Sequence, residues 1–176
     1  PGARCSGYLD LVSAIGGEQG NNQNRQGGGD GTGDNYDLQN SHVVPALIRK
    51  FHEAKVNGDP TVTCWGTGFP RREFLHVDDL AEACLFLMEE YDGKAFVNVG
   101  TGSDMSINEL AELIRRIVGY EGDIVWDTDK PDGTPRKLIN CDRIHALGWT
   151  HRIGLEEGLR SVYEEYRRNP DSARAK

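Results

Sequence analysis

From residue 34 onward, apolar residues recur at intervals of three and four, the spacing of one face of a helix. Three such stripes run over residues 43–51, 80–91 and 107–118. A helix with an apolar stripe packs that face on the rest of a domain and leaves the opposite face in water. The pattern therefore predicts three amphipathic helices that share a core.

Residues suited to begin a helix stand at the start of each stripe. Ser41 is the predicted N-cap of the first helix and Asp78 or Asp79 that of the second, because short polar side chains accept hydrogen bonds from the first backbone amides. Ser106 and Glu109 have the spacing of a capping box before the third helix. We interpret the two aspartates as helix caps rather than as a pair of catalytic carboxylates.

Shorter elements complete this region. Strands are predicted at 61–65, 95–99 and 123–126, and further helices at 142–147 and 155–168. Helices that alternate with three or four short strands are typical of an α/β fold, here α+β-like because so few strands are in sight.

The composition changes sharply near residue 34. Residues 16–33 read GGEQGNNQNRQGGGDGTG and carry no aliphatic or aromatic side chain. Such a stretch cannot bury enough apolar area to offset the entropy of ordering it. We therefore predict a flexible glycine-rich segment at 1–33, one domain at 34–168 and a frayed tail at 169–176.

Charge and cysteine content narrow the classes of function. With a formal net charge of -8, the chain does not resemble a nucleic-acid binder, although a local basic pocket can still hold an anion. No apolar run approaches the length of a membrane span, and residues 1–20 lack the pattern of a signal peptide. The four cysteines have no metal-site or disulfide spacing. These features favour a cytoplasmic protein with reduced thiols, no metal and no membrane contact.

The generic nucleotide-binding motifs do not occur. The run GGGDGTG at 27–33 does not fit G-x-G-x-x-G, no strand precedes it, and no apolar helix follows directly. None of the six tyrosines has a lysine four residues later, so the tyrosine–lysine pair of a reductase is also absent from the sequence.

Several longer strings resemble one family closely. They are DNYDLQNSHVVPALIRKFHEAK, VTCWGTGFPRREFLHVDDLAEACLFLME, VNVGTG and KPDGTPRKL, and the resemblance runs from about Asp34 to Glu165. The family is that of the GDP-L-fucose synthases, which are extended short-chain dehydrogenase/reductases. The resemblance implies an enzyme that epimerises GDP-4-keto-6-deoxy-D-mannose at two carbons and then reduces the ketone with NADPH.

The resemblance implies a catalytic role for His42, which stands where the family has its acid/base histidine and which also contacts the cofactor there. Epimerisation beside a ketone needs one group to remove a proton and another to return it, and an imidazole titrates near neutral pH. Without the resemblance, a lone histidine at the start of a helix is usually structural.

The resemblance also assigns binding of the GDP-sugar to Lys50, Trp65, Arg72 and Asp132. The residue types suit this role: a guanidinium pairs with a diphosphate, an ammonium adds charge, an indole offers a flat face, and a carboxylate accepts from hydroxyls. Taken singly, each has an ordinary structural explanation, namely a solvated lysine, a core tryptophan, a surface ion pair and a turn aspartate. Their joint occurrence within the matched strings carries the prediction.

The chain also departs from the family. The family's first half, with its glycine-rich NADP fingerprint and its reduction residues, has no counterpart before Asp34. We therefore expect a truncated form, inactive alone, that keeps the GDP-sugar site and lacks most of the NADP(H) site. The alternatives are half an enzyme completed by a second chain, an inactive nucleotide-sugar-binding or acidic interaction module, or another NAD-dependent nucleotide-sugar epimerase/dehydratase. In the family this region packs on the first half, and without that half its apolar surface would be exposed. We therefore predict a homodimer or other self-association.

Overall fold

The computed structural model describes Tyr36, Leu38 and residues 41–168, so the predicted segments 1–33 and 169–176 lie outside the described residues. Within the described part the elements follow the order α1 (Val43–Asn57), β1 (Thr61–Trp65), β2 (Arg71–Arg72), α2 (Val77–Glu90), β3 (Met105–Ser106), α3 (Ile107–Val118), β4 (Asp123–Asp127), β5 (Arg136–Lys137), α4 (Asp142–Ala146) and α5 (Leu155–Arg168). The mixed α/β class predicted from the sequence is confirmed.

The strands form two small sheets. Strand β1 pairs in parallel with β4, in a register that sets Trp65 opposite Asp127. Strand β2 is the middle of the second sheet, antiparallel to β3 and parallel to β5. The parallel pairings join segments about sixty residues apart, and they bring the loop after β4 beside the end of β1.

Two apolar clusters hold these elements together. The larger joins α1, β1, α3 and α5, and its fully buried members include Phe51 and Leu110. The smaller gathers α2, α4 and the segment 97–99 around Ile144. Apart from Met88 on α2, which is 59% exposed, the apolar stripes predicted for the three amphipathic helices face the interior, because a helix buries one face and leaves the other in water.

Two of the predicted helix caps are wrong. The N-cap of α1 is His42 rather than Ser41, and its side chain forms no capping bond. The N-cap of α2 is His76, whose Nδ1 accepts a hydrogen bond from the amide of Asp78, while Asp78 and Asp79 lie in the first turn. An imidazole nitrogen that accepts can cap a helix as a carboxylate does, and the two acidic residues instead favour the helix through its dipole.

Helix α3 has the ends that the sequence predicts. The Ser106 side chain accepts from the amide of Glu109, and the Glu109 carboxylate accepts from the amide of Ser106, which is the capping box. The helix ends at Gly119, which adopts a left-handed conformation with φ of 71°.

The strand predicted at 95–99 does not form. This segment contains one isolated bridge residue, Val99, although Val97 and Val99 are buried and Phe96 is 69% exposed. Among the described residues no strand runs along this segment. A ladder requires a partner strand, so the alternation of side chains predicted burial correctly and strand pairing wrongly.

Candidate functional site

The site is centred on Trp65, the last residue of β1. Along this strand Val62 and Cys64 point inward and are buried, so the alternation turns Trp65 outward, where it is 52% exposed. Helix α1 contacts strand β1 and brings Lys50 to the end of the strand that carries Trp65. The Lys50 ammonium donates to the carbonyl of Thr63 at 2.9 Å and lies 5.3 Å from the centre of the Trp65 ring.

The charge of Lys50 is affected by its position between the core and the site. Partial burial lowers the pKa of Lys50, and Cys64 and Asp127 oppose that shift. Burial also raises the pKa of the Cys64 thiol to about 11, and Lys50 partly offsets that rise.

A second ammonium lies on the same ring. The Lys130 ammonium is 5.4 Å from the centre of the Trp65 ring. Lys130 follows the end of β4 in a turn in which its amide donates to the carbonyl of Asp127 at 3.2 Å. Sequence reasoning gave Lys130 no role, although it is the first residue of the family-specific string KPDGTPRKL.

Asp132 fixes the loop that follows Trp65. Its carboxylate accepts from the Thr67 amide at 2.8 Å and from the Thr67 hydroxyl at 2.6 Å. Those hydrogen bonds lower the pKa of Asp132. A Cβ on Gly66 would lie 2.3 Å from the same carboxylate, so this approach requires a glycine.

Arg72 is buried, at 4% exposure, in the middle strand of the second sheet. One of its terminal nitrogens, Nη1, donates to the carbonyls of Arg71 at 2.8 Å and Thr134 at 2.6 Å. A Cβ on Gly133 would lie 2.9 Å from the other, Nη2. The loop 132–134 therefore contacts both Thr67 and Arg72.

His42 begins α1 and is partly buried. It precedes Lys50 by eight residues, a rise of about 12 Å along an α-helix. The structure thus brings Lys50 and Trp65 into direct contact and joins Asp132 and Arg72 to them through one loop. His42 stands about two helical turns away.

A fully buried carboxylate, Glu73, lies directly after Arg72, and sequence reasoning missed it. It accepts from the Gly102 amide at 2.6 Å, from the Thr101 hydroxyl at 3.2 Å and from the Ile139 amide at 3.3 Å. A glutamate between Arg72 and two apolar residues was the available signal, since a charge is buried in a core only with partners. Glu73 joins the turn after Val99 to the segment before α4.

Two other acidic residues act as connectors. Asp79 is buried and accepts from the amides of Arg152 and Ile153, each at 3.0 Å, which ties α2 to the segment before α5. Asp104 accepts from Arg71 at 2.9 Å and from Arg136. The contacts of Asp104 stabilise the sheet that holds Arg72. They give Arg71 and Arg136 a structural role and no catalytic one.

The described residues do not fit a dinucleotide. Such a site needs a strand, a glycine-rich turn and then the amino terminus of a helix. Gly66 and Gly68 follow β1, but the next element along the chain is strand β2, so this turn does not open directly into a helix as that motif requires. Residues 41–168 also hold no group of three histidine, cysteine, aspartate or glutamate side chains placed for a metal ion.

The described part of the chain contains three of the four cysteines. Cys64, Cys84 and Cys141 form no disulfide there. None of the helices in that part combines the length and the apolar character that crossing a bilayer requires.

The chain is similar to known nucleotide-sugar enzymes. The NAD dependent epimerase/dehydratase family matches residues 28–100. Putative GDP-L-fucose synthase 2 of Arabidopsis thaliana is 56% identical over 139 residues, which are 79% of this chain and 42% of the relative. GDP-L-fucose synthase of Escherichia coli (strain K12) is 49% identical over 153 residues, 82% of this chain and 48% of the relative.

Solved structures show the same likeness. A gdp-l-fucose synthetase from Naegleria fowleri bound to NADP has a TM-score of 0.74 at 27% identity and matches 80% of this chain and 44% of its own. GDP-mannoheptose C4 reductase from Campylobacter jejuni with NADP bound has a TM-score of 0.68 at 36% identity, and the match covers 76% of this chain and 48% of the reductase.

The fold and these similarities define a class: the chain has the mixed α/β structure of the extended short-chain dehydrogenase/reductase type of epimerase and reductase. Within that class it is a homologue of the GDP-L-fucose synthases. The chain spans less than half the length of those curated relatives, 42% to 48%.

Proposed function

We propose that the described residues form the nucleotide-sugar-binding part of a GDP-L-fucose synthase. Its reaction would be 3,5-epimerisation of GDP-4-keto-6-deoxy-D-mannose followed by NADPH-dependent reduction to GDP-L-fucose. The observation that carries the proposal is the meeting of Lys50 and Trp65 at the end of β1, beside a loop that Asp132 holds in place. These three residues come from three separate family-like strings of the sequence.

The residues divide the recognition of a GDP-sugar between them. Trp65 supplies an exposed aromatic face for a flat or apolar ring surface. Lys50 and Arg72 supply positive charge for the diphosphate, and the buried guanidinium of Arg72 is held in one orientation by the Thr134 carbonyl. Asp132 uses one lone pair of each oxygen on Thr67 and keeps others for sugar or ribose hydroxyls.

We assign to His42 the proton transfer of epimerisation. Its imidazole would exchange a proton with the carbon next to the ketone, while a second acid/base group serves the opposite face. The position at the start of α1 supports this role, because the same helix fixes the distance from His42 to Lys50 and thus to the diphosphate.

NADP(H) is the cofactor that this function requires. It supplies the hydride for reduction of the ketone when bound. Among the described residues only His42 is proposed to contact it, and its phosphates would be held by parts of the fold outside residues 41–168. The NADP-bound relatives match this chain over less than half of their own length, which supports that division.

Calorimetric titration with GDP-L-fucose tests the proposal. We expect saturable binding to the 176-residue chain, strongly weakened in Trp65→Ala and Lys50→Ala and retained in Lys94→Ala, an exposed lysine on the segment after α2. UDP-glucose, which has the same diphosphate but a different base and a different sugar, serves as the comparison ligand. Absence of heat with GDP-L-fucose under all conditions would instead favour an interaction module that binds no nucleotide.

Relatives with other sugars define a second candidate. A GDP-L-colitose synthase of Yersinia pseudotuberculosis is 38% identical, and a GDP-D-glycero-L-gluco-heptose synthase from Campylobacter jejuni is 34% identical with a TM-score of 0.68. Equal affinity for several GDP-sugars would favour this broader assignment over GDP-L-fucose.

A homodimer and a cytoplasmic location remain predictions. The outer side of α2 exposes Leu85 and Met88, at 61% and 59%, and Phe96 is exposed beyond the end of that helix. Exposed apolar side chains of this kind support self-association. Light scattering of the chain and of Leu85→Glu tests it, since a monomer in both would contradict the prediction.

A further inference from the structure

The Lys130 ammonium lies on the Trp65 ring, but neither the sequence prediction nor the proposed function gives this residue a role. We propose that Lys130 is a further substrate-binding residue, which acts with Lys50 as a pair of ammonium groups for the diphosphate of the nucleotide sugar. The inference rests on the proposed function and names the part of the ligand that this side of the site recognises.

The geometry places both cations on one aromatic ring. The ammonium nitrogens of Lys50 and Lys130 lie 5.3 Å and 5.4 Å from the centre of the Trp65 ring. Two nitrogens at those distances from one point are less than about 11 Å apart, and lysine side chains can bring them closer. A diphosphate, with charged oxygens at both ends, is a ligand that can contact both at once.

The two lysines are held in different ways. The Lys50 ammonium is anchored to the Thr63 carbonyl and partly buried, which gives it a fixed position. The backbone of Lys130 is fixed by the turn after β4, and its side chain is exposed. An anchored cation beside an exposed one is suited to a ligand that arrives from solvent, since a long exposed lysine side chain can turn toward it.

The nearby acidic groups already have partners. Asp132 accepts from Thr67 through both oxygens, and Asp127 accepts from the amide of Asp129 at 3.2 Å. No ion pair of Lys50 or Lys130 with a carboxylate is found in the described part of the chain. Lys50 and Lys130 therefore bring two positive charges to one ring, and the nearby charge of Asp127 offsets them in part.

A simpler explanation is that Lys130 contacts Trp65 as an ordinary exposed cation on an aromatic ring. Such contacts are common and weak. That explanation predicts no effect of Lys130 on the binding of an anion beyond the effect of any other surface lysine, and it can therefore be tested directly.

The test measures the affinity of the 176-residue chain for inorganic pyrophosphate, GDP and GDP-L-fucose by calorimetry at low ionic strength. The variants are Lys130→Ala, Lys130→Arg and the matched control Lys94→Ala. We expect Lys130→Ala to weaken all three ligands about five- to tenfold, the loss of one charge-assisted contact. Lys130→Arg should restore most of that affinity, and Lys94→Ala should stay within about twofold of the wild-type chain.

The two proposals fail in different ways. Equal affinities of Lys130→Ala and Lys94→Ala, with GDP-L-fucose still dependent on Trp65, would overturn the role of Lys130 and leave the proposed function intact. Pyrophosphate binding that depends on Lys130 without any binding of GDP-L-fucose would overturn the proposed function and retain the anion site. A wild-type chain that binds none of the ligands would overturn both.

Discussion

The carboxylate of Asp132 accepts two hydrogen bonds from Thr67, one from its amide at 2.8 Å and one from its hydroxyl at 2.6 Å. The two residues are 65 positions apart in the chain. This contact joins the turn after Trp65 to the loop 132–134, which also contacts Arg72. It therefore connects Trp65 with Arg72 in the proposed site.

Stability should depend on the charge of Asp132. Its pKa lies below the usual 3.8 because Thr67 donates to the ionised form, so the stabilisation is present above about pH 4 and is lost as the pH falls through the lowered pKa. We expect Asp132→Asn to melt at a lower temperature than the wild-type chain at pH 7. The difference should shrink between pH 4 and pH 3.

Thermal melts at pH 7, 5, 4 and 3 provide the measurement, with Asp92→Asn, an exposed aspartate after α2, as the control. A gap between wild type and Asp132→Asn that stays constant over this range would contradict the assignment.

Gly68 should tolerate a side chain less well than Gly58. Both have a positive φ, 77° and 72°, but a Cβ on Gly68 would lie 2.7 Å from the ring of Trp126, whereas the space around Gly58 is open. We expect Gly58→Ala to cost about 1 kcal/mol, the penalty of the left-handed conformation alone. Gly68→Ala should cost about 3 kcal/mol, because overpacking adds to it.

Urea denaturation of both variants tests this pair. Since the backbone penalty is shared, the difference between the two free energies of unfolding isolates the contact with Trp126. Equal losses would mean that the indole moves aside without cost.

Removal of the Glu73 carboxylate should be among the most destabilising single changes. Glu73→Ala leaves the amides of Gly102 and Ile139 without their acceptor and leaves a cavity where the fully buried side chain was, and we expect a loss of about 3 kcal/mol. Glu73→Gln keeps one carbonyl oxygen and should lose less. Urea denaturation measures both, and the exposed Glu121→Gln is the control, expected to change stability by less than about 0.5 kcal/mol.

The cysteines should react with alkylating agents in a definite order. Burial raises the pKa of Cys64 and of Cys141 to about 11 each, and Glu73 contributes to the shift of Cys141. At pH 8 roughly one thiol in a thousand would then be ionised at these sites. We expect peptide mapping after brief iodoacetamide treatment to find Cys84, which is partly exposed on α2, labelled well before either of them. Labelling of Cys64 as fast as Cys84 would be evidence against the packing of β1 on the core.

The local elements of this fold are predictable from the sequence. The apolar stripes predict the buried faces of α1, α2 and α3, and the spacing of Ser106 and Glu109 predicts the start of α3, because these patterns need only neighbours within one or two turns. The family-like strings likewise placed Lys50 and Trp65 in one site, although no local rule relates a helix to the strand that follows it. The two side chains do meet, but the catalytic or binding roles of His42, Lys50, Trp65, Arg72 and Asp132 all remain predictions.

The tertiary structure alone decided which groups meet across long separations. Glu73 with Gly102, Asp79 with Arg152 and Asp132 with Thr67 are pairs far apart in sequence, and no period along the chain encodes them. The wrong expectations have two different reasons. A capping side chain is chosen by local geometry, which favoured His76 over the aspartates, and a strand forms only beside a partner strand. The sequence thus determined the helices and the residue types of the site, whereas the packing of distant segments decided how charge and aromatic surface meet at Trp65.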